Sequence, residues 1–332
     1  MYIYVLNQGI LERNNLLQPN CLRFLYLVLF AFIEHNIMAY EGGAKYEEEF
    51  IITHRGIRLF TCKWLPENKE PKALIFICHG LAAECSVSLT DTAIRLVRAG
   101  YALYGIDYEG HGKSSGKRCY ISSFDRIVSD CSNHFKTIAE KVENKNKKRF
   151  LYGISMGGAV AINMHRKDPN YWNGAILMAP LCKISDEIKP GPILLGALEM
   201  LCRIVPTWKL IPSKDMLDKV CKDPELRQQI RSNHYMYMEN IPLKTGHQLL
   251  VAASEIEKNL RQITMPFYVL HGGDDIVTNV SVSKLLYESA SSHDKSLKIY
   301  PGMWHVLNGE APEDVDLIFS DIISWLDQRS SS

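Results

Sequence analysis

Apolar and polar positions take up a regular pattern near Glu47. They alternate through Glu49-Phe50-Ile51-Ile52-Thr53 and again through Arg58-Leu59-Phe60-Thr61-Cys62-Lys63-Trp64, with His54-Arg55-Gly56 between. The pair reads as two strands around a turn. Pro66 to Pro71 reads as a loop. Ala73 to Cys78 is continuously apolar, the pattern of a strand buried on both faces. A helical period runs from Asp91 to Ala99 and Gly100 ends it. Tyr101 to Ile106 is the next strand. Ser123 to Val142 predicts a long amphipathic helix, and the basic run Lys145 to Arg149 behind it a solvated loop. Phe150 to Ile154 and Gly174 to Met178 read as further buried strands. Between them a helix starts after Ser155 and runs to about Arg166.

The rhythm then breaks. From Pro180 to about Leu250 no strand is evident, and Pro190, Pro192, Pro206, Pro212, Pro224 and Pro242 divide the stretch into short apolar helical pieces. This predicts an insertion packed over the sheet. Alternation resumes with Phe267 to His271 and Leu297 to Tyr300, and a final helix runs from about Asp314 to Asp327. Strands alternating with helices through right-handed crossovers give a mostly parallel central sheet covered on both faces, the α/β class.

Composition narrows the picture modestly. The chain has 332 residues, 46% hydrophobic and 23% charged. That length suits one large α/β domain or two smaller ones, with a core that stands without disulfides or metals. A net charge of +1 gives no reason to expect nucleic acid or an anionic surface as partner. Nine scattered cysteines form no C-x-x-C pair. This argues against a zinc site and for free thiols in a reducing, cytoplasmic setting. Phe24 to Ile33 is wholly apolar, but it is about half the ~20 residues needed to span a bilayer. It lies far from the start, and no small-residue cleavage site follows. Residues 1–37 are expected to form an extension outside the fold, with a weak membrane anchor as the alternative. Residues 38–332 form the folded domain, with the insertion at about 180–250.

The chemistry begins at Gly153-Ile154-Ser155-Met156-Gly157, a G-x-S-x-G pentapeptide between a predicted strand and a predicted helix. A strand turning at once into a helix forces a sharp elbow at Ser155. Gly153 and Gly157 let the two elements nearly touch, and the helix N-terminus offers free N–H groups to a developing oxyanion. An incidental serine in a tight turn is the plainer reading, and the surrounding pattern argues against it. A serine nucleophile needs a base. Of 11 histidines, His305 lies after the last predicted strand and before the last helix, where the chain order serine, acid, histidine puts it. His79, His111 and His271 read instead as loop scaffolding through side-chain-to-backbone hydrogen bonds. Asp107, Asp274 and Asp275 are candidates for the acid that orients the base. The oxyanion donors are expected to be the backbone N–H groups of Met156 and of Leu81, which follows His79-Gly80 at the end of an early strand.

Together His79-Gly80, Asp107 to Ser114, Gly153 to Gly158, His271 to Asp275 and Gly302 to His305 resemble the monoacylglycerol lipase-like serine hydrolases of the α/β-hydrolase fold. The likeness is strongest to the plant branch that includes caffeoylshikimate esterase, and it covers about residue 45 to the C-terminus. The resemblance implies Asp275 as the acid and makes residues 180–250 a helical cap. It also implies a carboxylic ester hydrolase that works through an acyl-enzyme with no metal or organic cofactor. A monoacylglycerol-type lipid ester is the leading substrate and a hydroxycinnamoyl ester such as caffeoylshikimate the second. An acyltransferase and a ligand receptor of the same fold are further readings. Membrane contact would run through the cap or the N-terminal apolar run. Two departures bear on the pocket walls: His79-Gly80-Leu81-Ala82 stands where plant relatives usually carry H-G-Y-G, and Ile154 precedes the serine where an acidic or polar residue is common.

Overall fold

A computed structural model describes residues 44–67, 69–185, 191–213 and 216–330. The expected extension, residues 1–37, lies outside the described residues. The centre is one eight-stranded sheet in the order β1-β2-β4-β3-β5-β6-β7-β8. Its strands are β1 (Ala44–Ile52), β2 (Arg58–Pro66), β3 (Ala73–Cys78), β4 (Ala102–Ile106), β5 (Lys148–Ile154), β6 (Gly174–Met178), β7 (Phe267–Gly272) and β8 (Lys295–Tyr300). β1 pairs with β2, and β2 with β4, antiparallel. Every other pairing in this sheet is parallel. The central strands β3, β4 and β6 are buried at every position, as expected for strands covered on both faces.

Two strands are longer than their apolar runs. β1 begins at Ala44 and carries Lys45, Glu47 and Glu48. It is an edge strand whose charges face solvent and pair with neighbours, Glu47 with Lys63 and Glu48 with Lys113. β5 begins at Lys148, so two residues of the basic run are strand rather than loop. Lys148 pairs with Ala73 and Arg149 with Leu74. The Arg149 guanidinium lies 4.3 Å over the Tyr171 ring, which accommodates its charge at the sheet margin.

On one face of the sheet pack α2 (Phe124–Ala139), α3 (Met156–Lys167), the later part of α7 (Leu243–Lys258) and α8 (Val280–Ser289). On the other lie α1 (Thr90–Arg98) and α9 (Pro312–Ser330). Between β6 and β7 the chain forms α4 (Pro192–Ile204), the short α5 (Leu217–Val220), α6 (Pro224–Ser232) and then α7. An isolated antiparallel bridge, Ile211 to Ile241, ties this stretch together. Among the described residues no helix is long and apolar enough to cross a membrane.

Candidate active site

Ser155 occupies the single step between β5, which ends at Ile154, and α3, which starts at Met156. Its backbone is at φ 52° and ψ −116°, a conformation an L side chain adopts only under restraint. The restraint is visible. The Ser155 N–H donates to the Met178 carbonyl of β6 at 2.9 Å. The Ser155 carbonyl accepts from Gly158 N–H at 2.9 Å and from Leu181 N–H at 3.0 Å. A Cβ at Gly157 would stand 1.8 Å from the Cys78 carbonyl oxygen, and one at Gly153 would stand 2.6 Å from the Gly157 oxygen. Only glycine lets β3, β5 and α3 meet this closely. Met156, as first residue of α3, has an N–H with no acceptor inside the helix.

The second part of the site forms where β7 ends. A Cβ at Gly272 would lie 2.2 Å from the Trp304 oxygen, so the loop carrying His305 runs against the end of this strand. His305 Nδ1 is 2.6 Å from Asp275 Oδ2. The same oxygen accepts from Thr278 Oγ1 at 2.8 Å, while Asp275 Oδ1 accepts from the Val277 and Thr278 N–H groups at 2.7 and 3.0 Å. Burial of Asp275 disfavours its charge. The bonds from His271, His305 and Thr278 outweigh that and hold the carboxyl well below the usual carboxylate range. With Nδ1 facing an ionised carboxylate, Nε2 is the His305 ring nitrogen that Asp275 does not engage.

Of the other acid candidates, Asp274 is exposed. Asp107 is fully buried and accepts from the Cys85 and Lys113 N–H groups at 2.8 and 2.9 Å. Burial pushes it up to about 7.

His271 does more than the sequence suggested. It is fully buried. Its Nδ1 meets Ser283 Oγ at 2.6 Å, and its Nε2 lies 2.8 Å from the Thr278 carbonyl and 3.0 Å from Asp275 Oδ2. The carboxylate therefore receives two imidazoles, one from each side chain. The signal in the sequence was spacing alone, a histidine four residues before the acid.

The early loop supplies the third part. Gly80 sits beside the elbow, its Cβ position 3.6 Å from the Ile154 oxygen and 3.8 Å from Ser155 Cβ. The segment that carries Leu81 thus passes next to Ser155. His79, beneath it, stacks on Tyr108 with ring centroids 3.9 Å apart. Its Nδ1 donates to the Gly80 carbonyl at 2.8 Å and its Nε2 accepts from the Tyr108 N–H at 3.3 Å. Burial, helped by His111 nearby, lowers it to about 3, so it is a neutral scaffold residue. His79, Cys85 and Asp107 bring one ligand-type atom each within 4.8 Å of the others. Both His79 nitrogens and both Asp107 oxygens already have backbone partners, so the group reads as a loop anchor rather than a metal centre.

Residues 69–312 match the family described as serine aminopeptidase, S33. The chain is 34% identical to caffeoylshikimate esterase of Arabidopsis thaliana over 289 residues, covering 86% of this chain and 87% of that protein. It is 32% identical to monoglyceride lipase of Homo sapiens over 283 residues, covering 85% and 91%. Its fold is similar to the structure of a soluble variant of monoglyceride lipase from Saccharomyces cerevisiae. There the TM-score is 0.75 and the identity 20%, with 85% of this chain and 94% of that one covered. The chain therefore belongs to the S33 family of α/β-hydrolases. Within it, this protein is an ester hydrolase.

Proposed function

We propose that this protein hydrolyses monoacylglycerol-type lipid esters through an acyl-enzyme on Ser155. Ser155 Oγ attacks the ester carbonyl while His305 Nε2 takes its proton, and Asp275 holds the imidazole and stabilises its charged form. The N–H groups of Leu81 and Met156 receive the oxyanion. His305 then protonates the leaving glycerol oxygen. Water, deprotonated by the same nitrogen, releases the fatty acid and restores the serine. The observation that carries the mechanism is the 2.6 Å contact between His305 and a buried, ionised Asp275, alongside a serine held at a positive φ.

The lipid side of the proposal draws on α4. Ile193, Leu194, Met200 and Ile204 are exposed along it, Ile193 at 91%, and Trp208 and Leu210, a few residues further on, are exposed as well. A patch of this kind suits a lipid surface. We take residues 180–250 as the cap, and this helix as the part that meets a membrane on its cytoplasmic side. Residues 1–37 would then be an extension outside the catalytic domain.

Caffeoylshikimate is the second substrate reading, supported by the 34% identity to the Arabidopsis esterase. Turnover of monooleoylglycerol and of caffeoylshikimate by the purified protein, with Ser155→Ala as control, decides between them. The expected result is a higher kcat/KM on the monoacylglycerol, abolished in the variant. A higher value on caffeoylshikimate would reverse the substrate assignment. Hydrolysis that survives Ser155→Ala would remove Ser155 as nucleophile.

A further inference from the structure

Two turns of the chain between β6 and β7 are bonded to the two loops that carry the proposed chemistry. The first turn lies between α5 and α6. Val306 N–H donates to the Val220 carbonyl at 2.9 Å, and the Lys222 and Asp223 N–H groups both donate to the Gly309 carbonyl, at 3.1 and 2.9 Å. Lys222 Nζ reaches the Gly302 carbonyl at 2.5 Å and Glu310 Oε2 at 2.7 Å. The Glu310 side chain is only 1% exposed, and its other oxygen accepts the Trp304 N–H at 2.6 Å. A buried carboxylate thus links a lysine of this turn to the residue preceding His305.

The second turn follows α6. Tyr237 N–H donates to the carbonyl of Ala82 at 2.9 Å, and Ala82 is itself held at φ 63°. Asn233 Nδ2 donates to Glu84 Oε1 at 3.0 Å, and Glu84 is fully buried. Arg118 donates to the carbonyls of His234, Tyr235 and Met236 at 3.1, 3.0 and 2.9 Å, fixing the turn from the other side. Between the two turns runs α6, nine residues and so about 13 Å of rigid helix.

We propose that residues 220–237 are a brace that sets the separation between the His305 loop and the Leu81 loop, with Lys222 and Asn233 as its positioning residues. The proposal rests on Ser155, His305 and Leu81 acting as described above. The physical reason is leverage. Each loop needs a fixed offset from Ser155, and a misplacement of about 1 Å costs on the order of a hundredfold in rate. Neither loop is held by the sheet alone. Both are pinned to the ends of one helix, so a shift at either end is carried to the other.

The test uses p-nitrophenyl acetate, whose acyl group is too short to engage a lipid pocket, with Lys222→Met, Lys222→Arg and Asn233→Ala in the full chain. Lys222→Met and Asn233→Ala are expected to lower kcat about tenfold to a hundredfold, the range for a lost bond to a charged group. KM should stay within threefold, and Lys222→Arg should keep most of the activity. If the turns only shape a substrate pocket, KM alone will rise, and that overturns the brace. So does a kcat within twofold of the parent. Should Lys222→Met fail to fold, Asn233→Ala decides by itself, since Asn233 is only half-buried. A parent protein inert toward this ester would instead overturn the hydrolytic site, and the brace with it.

Discussion

At the scale of single residues, the site depends on how many groups converge on Asp275. Its two oxygens take five polar contacts, from Val277, Thr278 (N–H and hydroxyl), His271 and His305. Removing the His271 donor leaves a buried carboxylate short of one partner. A hydrogen bond to a charged group is worth about 1.5–3 kcal/mol, so His271→Ala should lower kcat about tenfold or more, while His271→Gln, which keeps an N–H at similar reach, should lose less. Equal activity in His271→Ala and the parent, measured by steady-state kinetics, would leave His271 as packing only. Strand–turn–helix context and chain order single out Ser155 and His305 in the sequence as the proposed nucleophile and base. The sequence left Asp107, Asp274 and Asp275 open until family likeness was considered, because all three lie at or just beyond strand ends. Only burial and the hydrogen bond to His305 separate them in physical terms. The partnership of His271 was hidden for a related reason, since spacing does not reveal which way an imidazole edge points.

At the scale of elements, glycines set how closely β3, β5 and α3 approach. The Cβ of alanine at 157 would meet two backbone carbonyls, 1.8 Å from the Cys78 oxygen and 2.7 Å from the His79 oxygen, and backbone cannot swing aside as a side chain can. Gly157→Ala is therefore expected to destabilise the protein by about 3 kcal/mol or more and to lower Tm by about 6 °C or more. An unchanged Tm by calorimetry would mean that the elements part without cost. The buried strands were readable as apolar runs, and β3 lies where its pattern put it. Strand ends were less readable: Lys148, Arg149 and the charges of β1 hide strand character behind polar side chains that the sheet margin tolerates. Between β6 and β7 the prolines announced short helices but not their attachments. Lys222, Glu310 and Asn233 are ordinary polar residues in sequence, and the bonds from Lys222 to Gly302 and Glu310 and from Asn233 to Glu84 span 80 or more residues.

At the scale of the whole molecule, four histidines among the described residues are carried far below their usual value by burial. Burial lowers His79 to about 3 and His111, His134 and His165 to about 4. Their value in an unfolded chain is about 6.5. The folded values are the lower ones, so these residues contribute fully above about pH 6.5 and the contribution is lost as pH falls toward 3–4. Asp107, raised to about 7 by burial, works in the opposite sense, since its contribution is lost as pH rises from about 4 to 7. It is one group against four. Asp275, held low, adds a further loss at more acid pH. The guanidinium chloride midpoint is therefore expected to fall between pH 7 and pH 5, with proton uptake on unfolding. A midpoint that holds or rises over that interval would contradict the neutral-histidine assignment.

With Ser155 as the proposed nucleophile, its backbone sets activity and durability against each other at one position. Its positive φ is a conformation in which glycine rests easily and serine does not. A glycine there would relax the elbow and yield a hardier but inert protein. Selection for heat resistance alone would thus push against the residue that selection for turnover retains, so the serine marks a point where lineages keeping this chemistry give up some robustness.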